Sequence, residues 1–159
     1  MKKKIVLCTR RNVGLYSLSM LVAMGYDVSV ISDDENVIWL AGVLGCRVVN
    51  FDTMGEFDVL LSVHWNKFID VGHFEYGSAI NIHPCLTWYK GKNPIKRYIA
   101  NKGTEASIES HWMTNVVDEG ELVHQEFFST PVVKTYQEFY DIAAMYYFRC
   151  IEQTLRKVL

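Results

Sequence analysis

Three features are missing from this sequence, and each absence excludes a class of protein. The four cysteines, Cys8, Cys46, Cys85 and Cys150, are far apart and form no Cys-x-x-Cys pair, which disfavours a disulfide framework or a zinc site. Lysine and arginine number 16 against 18 aspartate and glutamate, so there is no strong field to attract nucleic acid or an anionic membrane. No segment reaches the roughly 20 apolar residues of a membrane span. The sequence therefore predicts a cytoplasmic protein that binds neither nucleic acid nor membrane.

The apolar content is sufficient for one folded domain. Half of the 159 residues are hydrophobic, and a chain of this length can bury a core but is short for two domains. The initial MKKKIVLC has an apolar run too short for a signal peptide and is typical of a buried strand. There is no internal repeat, low-complexity tract or linker. We therefore expect residues 1–159 to form a single domain.

Apolar runs alternate with helical periodicity along the first half of the chain. The pattern predicts strands over 4–9, 27–32, 47–50, 58–62 and 78–82, and helices over 13–24 and 34–44. The second half has a helix over 94–101, extended segments over 104–115 and 121–129, and a long amphipathic helix over 136–159. Continuous apolar strands interleaved with helices are typical of an α/β protein whose mostly parallel sheet has helices on both faces. The predicted fold is a Rossmann-like three-layer sandwich.

Ligands of such sheets bind at the carboxyl ends of the strands, and the first loop there is CTRRNVG. The dinucleotide fingerprint Gly-x-Gly-x-x-Gly is absent, which disfavours an NAD site. Arg10, Arg11 and Asn12 at a helix N-terminus are suited to holding a phosphate group. Two solvated arginines account for the same residues equally well.

The second such loop begins with Asn81 and His83 in the stretch NIHPCLTWYKGKNP. Two residues apart on an extended segment, their side chains project to the same side. An amide can donate to a developing oxyanion, and an imidazole can manage the proton of an attacking amine. A structural hydrogen-bonding role for His83 is the alternative.

The stretch NIHPCLTWYKGKNP together with the later HWMTNVVDEGELVHQ resembles the folate-dependent formyltransferase family. The family pattern reads Asn-x-His-Pro-Ser-Leu-Leu-Pro-x-Tyr/Phe-Arg-Gly-x-x-Pro, followed by His-x(6)-Asp-x-Gly-x(4)-Gln. The second part matches without a gap from His111 through Asp118 and Gly120 to Gln125. The resemblance covers about residues 60–128 by motif and the whole chain by element order. It implies the formyltransferase fold and a single catalytic domain.

The resemblance places a catalytic Asn-His-Asp trio on Asn81, His83 and Asp118. It implies that Asn81 holds the formyl oxygen and stabilises a tetrahedral intermediate. His83 is then the acid and base that moves the proton from the amine to the departing folate nitrogen. Asp118 orients the imidazole and favours its charged form.

The resemblance also implies 10-formyltetrahydrofolate as the formyl donor, with no metal. Residues of the segment SVHWNKFID are then neighbours of the pterin, and two residues of the second motif complete the expected donor site: Trp65, Lys67, Phe68, Ile69, His111 and Gly120. The alternative is that Trp65, Phe68 and Ile69 cover the edge of the sheet.

The acceptor is the least determined part of the expected reaction. Methionyl-tRNA members of the family carry a C-terminal β-barrel, whereas we expect none here, which disfavours tRNA. Trp88 stands where the family has proline and is expected to border the site and bind the acceptor. We expect a small amine, such as an amino sugar attached to a nucleotide whose phosphates meet Arg10 or Arg11. Glycinamide ribonucleotide or another amine is the alternative acceptor.

Other readings of the same residues remain open. A thiol nucleophile at Cys85 is conceivable beside His83, but free cysteines are commonly packing residues. The four histidines 64, 83, 111 and 124 lack the spacing of a zinc site. A module that binds folate or a nucleotide without turnover is the alternative of another class. The aromatic-rich last helix offers a face for a homodimer.

Overall fold

The computed structural model describes residues 1–75 and 78–159. The strands are β1 (Lys4–Thr9), β2 (Asp27–Ile31), β3 (Arg47–Val48), β4 (Val59–Val63), β5 (Ala79–Pro84), β6 (Glu105–Trp112) and β7 (Leu122–Ser129). The helices are α1 (Arg11–Ala23), α2 (Glu35–Val43), α3 (Pro94–Ala100) and α4 (Tyr136–Val158).

Residues 1–81, together with Leu159, form a compact unit built on parallel strands. β1 pairs in parallel with β2 and β4, and β2 pairs in parallel with β3. β4 is buried along its whole length, as expected of an apolar strand covered on both faces. α2 begins after Asp34, whose carboxylate accepts a hydrogen bond from the Asn36 N–H at 3.0 Å. The loops that follow β1, β2 and β4 therefore leave this unit at one edge of its strands.

Residues 82–158 form a second compact unit built on an antiparallel strand pair. β6 and β7 pair with Glu109 opposite Gln125, and the register shifts between Ser110 and His111. α4 packs on both strands. Its buried face includes Phe139, whose ring centroid lies 6.3 Å from that of Phe128 on β7. Large aromatic side chains thus supply much of the core of this unit.

Within the described residues the sheet has seven strands in the order β3-β2-β1-β4-β5-β6-β7, and β5 crosses the boundary between the two units. The predicted α/β class with a mostly parallel sheet is confirmed. A single domain over residues 1–159 stays a prediction, because neither unit by itself tests it.

Two element boundaries differ from the sequence prediction near the candidate site. β5 extends to Pro84 rather than ending at 82, so that His83 lies within the strand. β6 ends at Trp112 rather than 115, because the backbone turns there and the Trp112 N–H bonds to the Glu121 carbonyl at 2.9 Å. Pattern reading locates strand ends poorly, since ends depend on partners that are distant in sequence.

Across residues 1–75 and 78–159, no helix combines the length and apolarity needed to cross a membrane.

Candidate active site

His83 and Asp118 form a buried pair in the second unit. Nε2 of His83 lies 3.1 Å from Oδ2 of Asp118, and the two side chains are 8% and 5% exposed. Nδ1 of His83 lies 2.8 Å from the Pro84 carbonyl oxygen, and Nε2 also lies 3.3 Å from the Gly91 carbonyl oxygen. Acceptors at both ring nitrogens hold the imidazole in one orientation. The structure thus brings together two of the three residues that the family motif singles out.

The position of Asp118 is set by a tight loop between β6 and β7. Asp118 has a left-handed backbone with φ of 59°, which Asp tolerates better than most residues. Two residues later, a Cβ at Gly120 would lie only 1.6 Å from the carbonyl oxygen of Trp112. Only glycine fits this close approach of two backbone segments. Gly120 therefore lets the loop fold back on the end of β6 and carry Asp118 to His83.

Asp118 has several hydrogen-bond partners, and together they lower its pKa. Burial by itself raises that pKa, but hydrogen bonds from His111 and His83, the charge of His83 and the amide of Gly91 outweigh burial and hold it far below the ordinary value. The Gly91 N–H donates to Oδ2 at 2.7 Å, and His111 Nε2 lies 3.4 Å from Oδ1. Asp118 is therefore a carboxylate at neutral pH, with partners at both of its oxygens.

His111 lies beside this carboxylate rather than in a separate pocket. It is 2% exposed, and its Nδ1 lies 3.0 Å from the Trp112 carbonyl oxygen. The register shift after Ser110 accompanies this placement. The geometry gives His111 and Gly120 roles in placing Asp118, and their predicted part in donor binding stays a prediction.

Asn81 lies on β5 two residues before His83, and its side chain is half-buried. Alternate residues of a strand share a face, so the amide and the imidazole project to the same side. The meeting of Asn81, His83 and Asp118 around one substrate atom stays a prediction.

The surroundings of Cys85 disfavour its use as a nucleophile. The side chain is fully buried, and burial raises the pKa of its thiol to about 11. The thiolate, which is the nucleophilic form, is therefore scarce near neutral pH. Its backbone N–H bonds to the Ser107 carbonyl at 2.8 Å, which indicates a structural role at the start of the loop.

The predicted phosphate-binding residues lie at the end of β1 in the first unit. Arg10 is already engaged, since its Nε lies 2.7 Å from Oδ1 of Asp33, while Lys67 Nζ lies 2.8 Å from Oδ2 of the same carboxylate. Arg11 and Asn12 are exposed at the start of α1. Asp33 thus pairs with both Arg10, which was predicted to bind the amine substrate, and Lys67, which was predicted to lie near the pterin of the formyl donor.

The predicted pterin neighbours differ in exposure. Ile69 is buried, whereas the Phe68 side chain is 66% exposed. Lys67 Nζ lies 5.4 Å from the ring centroid of Trp65. The buried indole N–H of Trp65 has no hydrogen-bond partner among the described residues. An exposed aromatic ring and an unpaired donor fit a planar, acceptor-rich ligand such as a pterin, whereas Ile69 is a core residue.

Trp88 lies in the loop after β5 and is 45% exposed. Its ring meets that of Phe127 edge to face, with centroids 6.0 Å apart. This pair offers an exposed aromatic surface in the second unit.

In the part of the chain that the structure describes, no three His, Cys, Asp or Glu side chains are grouped to hold a metal ion.

Two features of the second unit were missed by sequence reasoning. The Gly91 amide bonds to Asp118, and the glycine in YKGKNP was the signal that a turn brings backbone there. Glu109 is fully buried between Ile108 and Ser110, and a charged residue inside a buried strand pattern is the signal that could have identified it.

No protein-family model matches this sequence, and no curated protein matches it either. Solved structures with a similar fold do exist. An N-formyltransferase from Helicobacter canadensis, in complex with folinic acid and dTDP-3-aminofucose, is 19% identical with a TM-score of 0.81, over 99% of this chain and 65% of that one. This chain therefore spans just under two thirds of that enzyme.

Two further structures cover other members of the same fold. Phosphoribosylglycinamide formyltransferase from Streptococcus pneumoniae is 19% identical, with a TM-score of 0.78 over 98% of each chain. A formyltetrahydrofolate deformylase from Burkholderia mallei is 17% identical, with a TM-score of 0.73 over 99% of this chain and 64% of that one. The chain therefore has the formyltransferase fold, as the sequence motifs predicted.

Proposed function

We propose that this protein transfers a formyl group from 10-formyltetrahydrofolate to the primary amine of a small acceptor. The observation that carries the proposal is the buried contact of 3.1 Å between His83 Nε2 and Asp118 Oδ2. A buried imidazole and carboxylate at the end of a strand are suited to moving a proton in a site that excludes water. The formyltransferase fold and the matching motifs support the same reaction class.

The chemistry assigns one role to each of the three motif residues. Asn81 donates a hydrogen bond to the formyl oxygen as the amine attacks the carbon, and such donors contribute roughly 3–4 kcal/mol to transition-state stabilisation. His83 gives a proton to the folate nitrogen as the carbon–nitrogen bond breaks and regains one from the attacking amine. Asp118 fixes the ring and stabilises its charge while the proton is held. Formylated amine and tetrahydrofolate leave.

For the donor, the segment after β4 supplies the proposed pterin site. Trp65 contributes its unpaired indole N–H, and Phe68 contributes an exposed ring. In sequence, Lys67 lies between these two residues and Ile69 follows Phe68. The neighbour crystallised with folinic acid supports a folate donor, and the assignment to this segment rests on the exposed ring and the unpaired N–H.

For the acceptor, an amino sugar attached to a nucleotide is the substrate class we favour. The Helicobacter canadensis neighbour was crystallised with dTDP-3-aminofucose, and Arg11 with Asn12 at the start of α1 suits a phosphate. Arg10 contributes less, because Asp33 already neutralises it. Trp88 is suited to packing on a sugar or base. Glycinamide ribonucleotide is the second acceptor to test, since the Streptococcus pneumoniae neighbour shares the fold.

Incubation of the protein with 10-formyltetrahydrofolate and a panel of amines tests the proposal. We expect amine-dependent release of tetrahydrofolate, and a loss of at least about a hundredfold in kcat for His83→Ala. His73→Ala is the matched control, because that side chain is 87% exposed, and it should keep wild-type activity.

Three other outcomes would contradict the proposal. Folate binding without turnover for any amine would favour a binding module. Formate release without an amine would favour water as the acceptor, as in a deformylase. An active His83→Ala variant that is lost on Cys85→Ser would favour thiol catalysis.

A further inference from the structure

Glu109 is a fully buried acidic side chain in the middle of β6. Three donors from two different segments converge on its carboxyl group. The Thr87 N–H donates to Oε2 at 2.7 Å, the Thr87 hydroxyl donates to Oε1, and the Gln125 side-chain amide donates to Oε1 at 3.0 Å. Gln125 lies directly opposite on β7. Glu109 therefore joins the hairpin to the loop that follows β5.

A buried acid is unfavourable unless donors surround it, so its presence calls for an explanation. An apolar residue would fill the same place in a buried strand without that requirement. Thr87, in contrast, is exposed and has no apolar reason to be fixed. The arrangement is best explained as a set of hydrogen bonds that fixes a surface loop to the hairpin of β6 and β7.

The loop held by these hydrogen bonds, residues 85–91, leads directly to the candidate site. Its first residue, Cys85, is tied to β6 through the Ser107 carbonyl at 2.8 Å. Its last residue, Gly91, donates its N–H to Asp118 at 2.7 Å and lies with its carbonyl 3.3 Å from His83 Nε2. Between them, Thr87 is bound to Glu109 through both its N–H and its hydroxyl, while Tyr89 and Lys90 make exposed hydrogen bonds with Asn101 and Glu119.

We propose that Glu109 is a positioning residue for formyl transfer: through Thr87 it holds the loop that sets Gly91 against Asp118 and His83. This inference rests on the proposed function for its kinetic consequence, but the geometry it predicts is independent of turnover. Glu109 itself touches neither reacting group. Small displacements of reacting groups reduce rates strongly. Loss of the contact between Thr87 and Glu109 should therefore lower kcat more than substrate affinity.

The test compares Glu109→Gln and Thr87→Val with the wild type. Gln replaces an acceptor oxygen by a donor, and Val keeps the shape of Thr87 but removes its hydroxyl. We expect kcat to fall about tenfold or more with KM changed less than about twofold, and Thr87→Ser to retain nearly wild-type kcat. Exchange of the Gly91 amide proton, followed by NMR, should accelerate about tenfold or more in the two impaired variants.

The double variant and a matched control complete the design. If Glu109 acts through Thr87, the double variant should be no worse than the more impaired single one. Glu105→Gln is the matched control, because Glu105 begins the same strand and is exposed, bonding only to the Ser129 hydroxyl in the described residues. It should leave kcat and Gly91 exchange unchanged.

The outcomes separate this inference from the proposed function. If Glu109→Gln and Thr87→Val match Glu105→Gln in both Gly91 exchange and kcat, the positioning role is wrong. If the wild type transfers no formyl group, the proposed function fails, and Gly91 exchange alone still decides whether Glu109 holds the loop. If Glu109→Gln does not fold, Thr87→Val carries the same test, since it alters only an exposed residue.

Discussion

Two carboxylates in loops between elements of the sheet show how burial changes what an ion pair does. Asp33, in the first unit, pairs with Arg10 and Lys67 and is 36% exposed. Asp118, in the second unit, pairs with His83 and His111 and is 5% exposed. Both have two basic partners within 4 Å, and both have a lowered pKa. The partners of Asp33 are an arginine and a lysine, whereas those of Asp118 are two histidines, and the two carboxylates also differ in their surroundings.

The difference teaches where chemistry can be placed. Exposed pairs contribute about 0–1 kcal/mol, exchange partners easily and are screened by salt. A buried carboxylate must keep its partners, because water cannot replace them, so the geometry around Asp118 is fixed. Fixed geometry is what proton transfer requires. The region of Asp33 is better suited to an adaptable contact with a charged ligand.

The largest expected effect comes from breaking the buried pair with Asp118→Asn. Asparagine keeps the shape but replaces one acceptor oxygen by an NH₂ group, which then faces either His83 and Gly91 or His111. We expect kcat for formyl transfer to fall about a thousandfold, as when the orienting acid of a catalytic histidine is replaced. Steady-state kinetics with the best amine of the panel measures it.

Asp58→Asn is the matched control for that substitution. Asp58 is an exposed carboxylate 3.2 Å from Lys3, and it lies in neither proposed site. Its variant should keep kcat within about twofold of the wild type, as expected for an exposed pair. Equal losses in the two variants would mean that burial does not distinguish the carboxylates.

A second test changes the loop that carries Asp118 without touching any charge. The added methyl group of Gly120→Ala meets the Trp112 carbonyl at 1.6 Å, so the loop must move. We expect the free energy of unfolding, measured with urea, to fall by roughly 3 kcal/mol. Gly42→Ala is the matched change in α2, where nothing lies within 4 Å of the new Cβ. This variant should raise the free energy of unfolding by about 0.5–1 kcal/mol. A neutral Gly120→Ala would show that the close approach is not needed.

The smallest expected effect is on the pH dependence of stability, and it comes from His64, a partly buried group close to Arg10 and Arg11. Burial, followed by the charges of Arg11 and Arg10, lowers its pKa from 6.5 to about 4. The unfolded chain therefore binds a proton on His64 that the folded protein rejects, and stability falls as pH is lowered from about 6.5 to about 4. At about 1.4 kcal/mol per pKa unit, we expect this group to account for at most about 3 kcal/mol of that loss.

His64→Asn tests the assignment, since asparagine tolerates the left-handed backbone with φ of 57°. Urea unfolding at several pH values should show a flatter dependence in this variant than in the wild type. His73→Asn, which alters an exposed histidine of the same unit, should leave the wild-type dependence unchanged. Parallel curves for wild type and His64→Asn would contradict the shifted pKa.

Sequence patterns predicted most of the fold because they record local requirements. The span of β1 was predicted without error, and that of α2 within one residue at each end. Apolar runs and helical spacing depend on which side of an element is buried, and that information lies within a few residues. The sequence also determined the candidate motif residues Asn81, His83 and Asp118, since their types and spacing match a family pattern.

Only the tertiary structure decided how these residues are held. Asp118 meets His83 because Gly120 permits a backbone contact and Gly91 supplies an amide from a distant loop. Glu109 gains its three donors through cross-strand register and a loop more than 20 residues away in sequence, as the separation of 22 from Thr87 shows. Such contacts depend on the register of paired strands and on turn geometry, which no local pattern encodes.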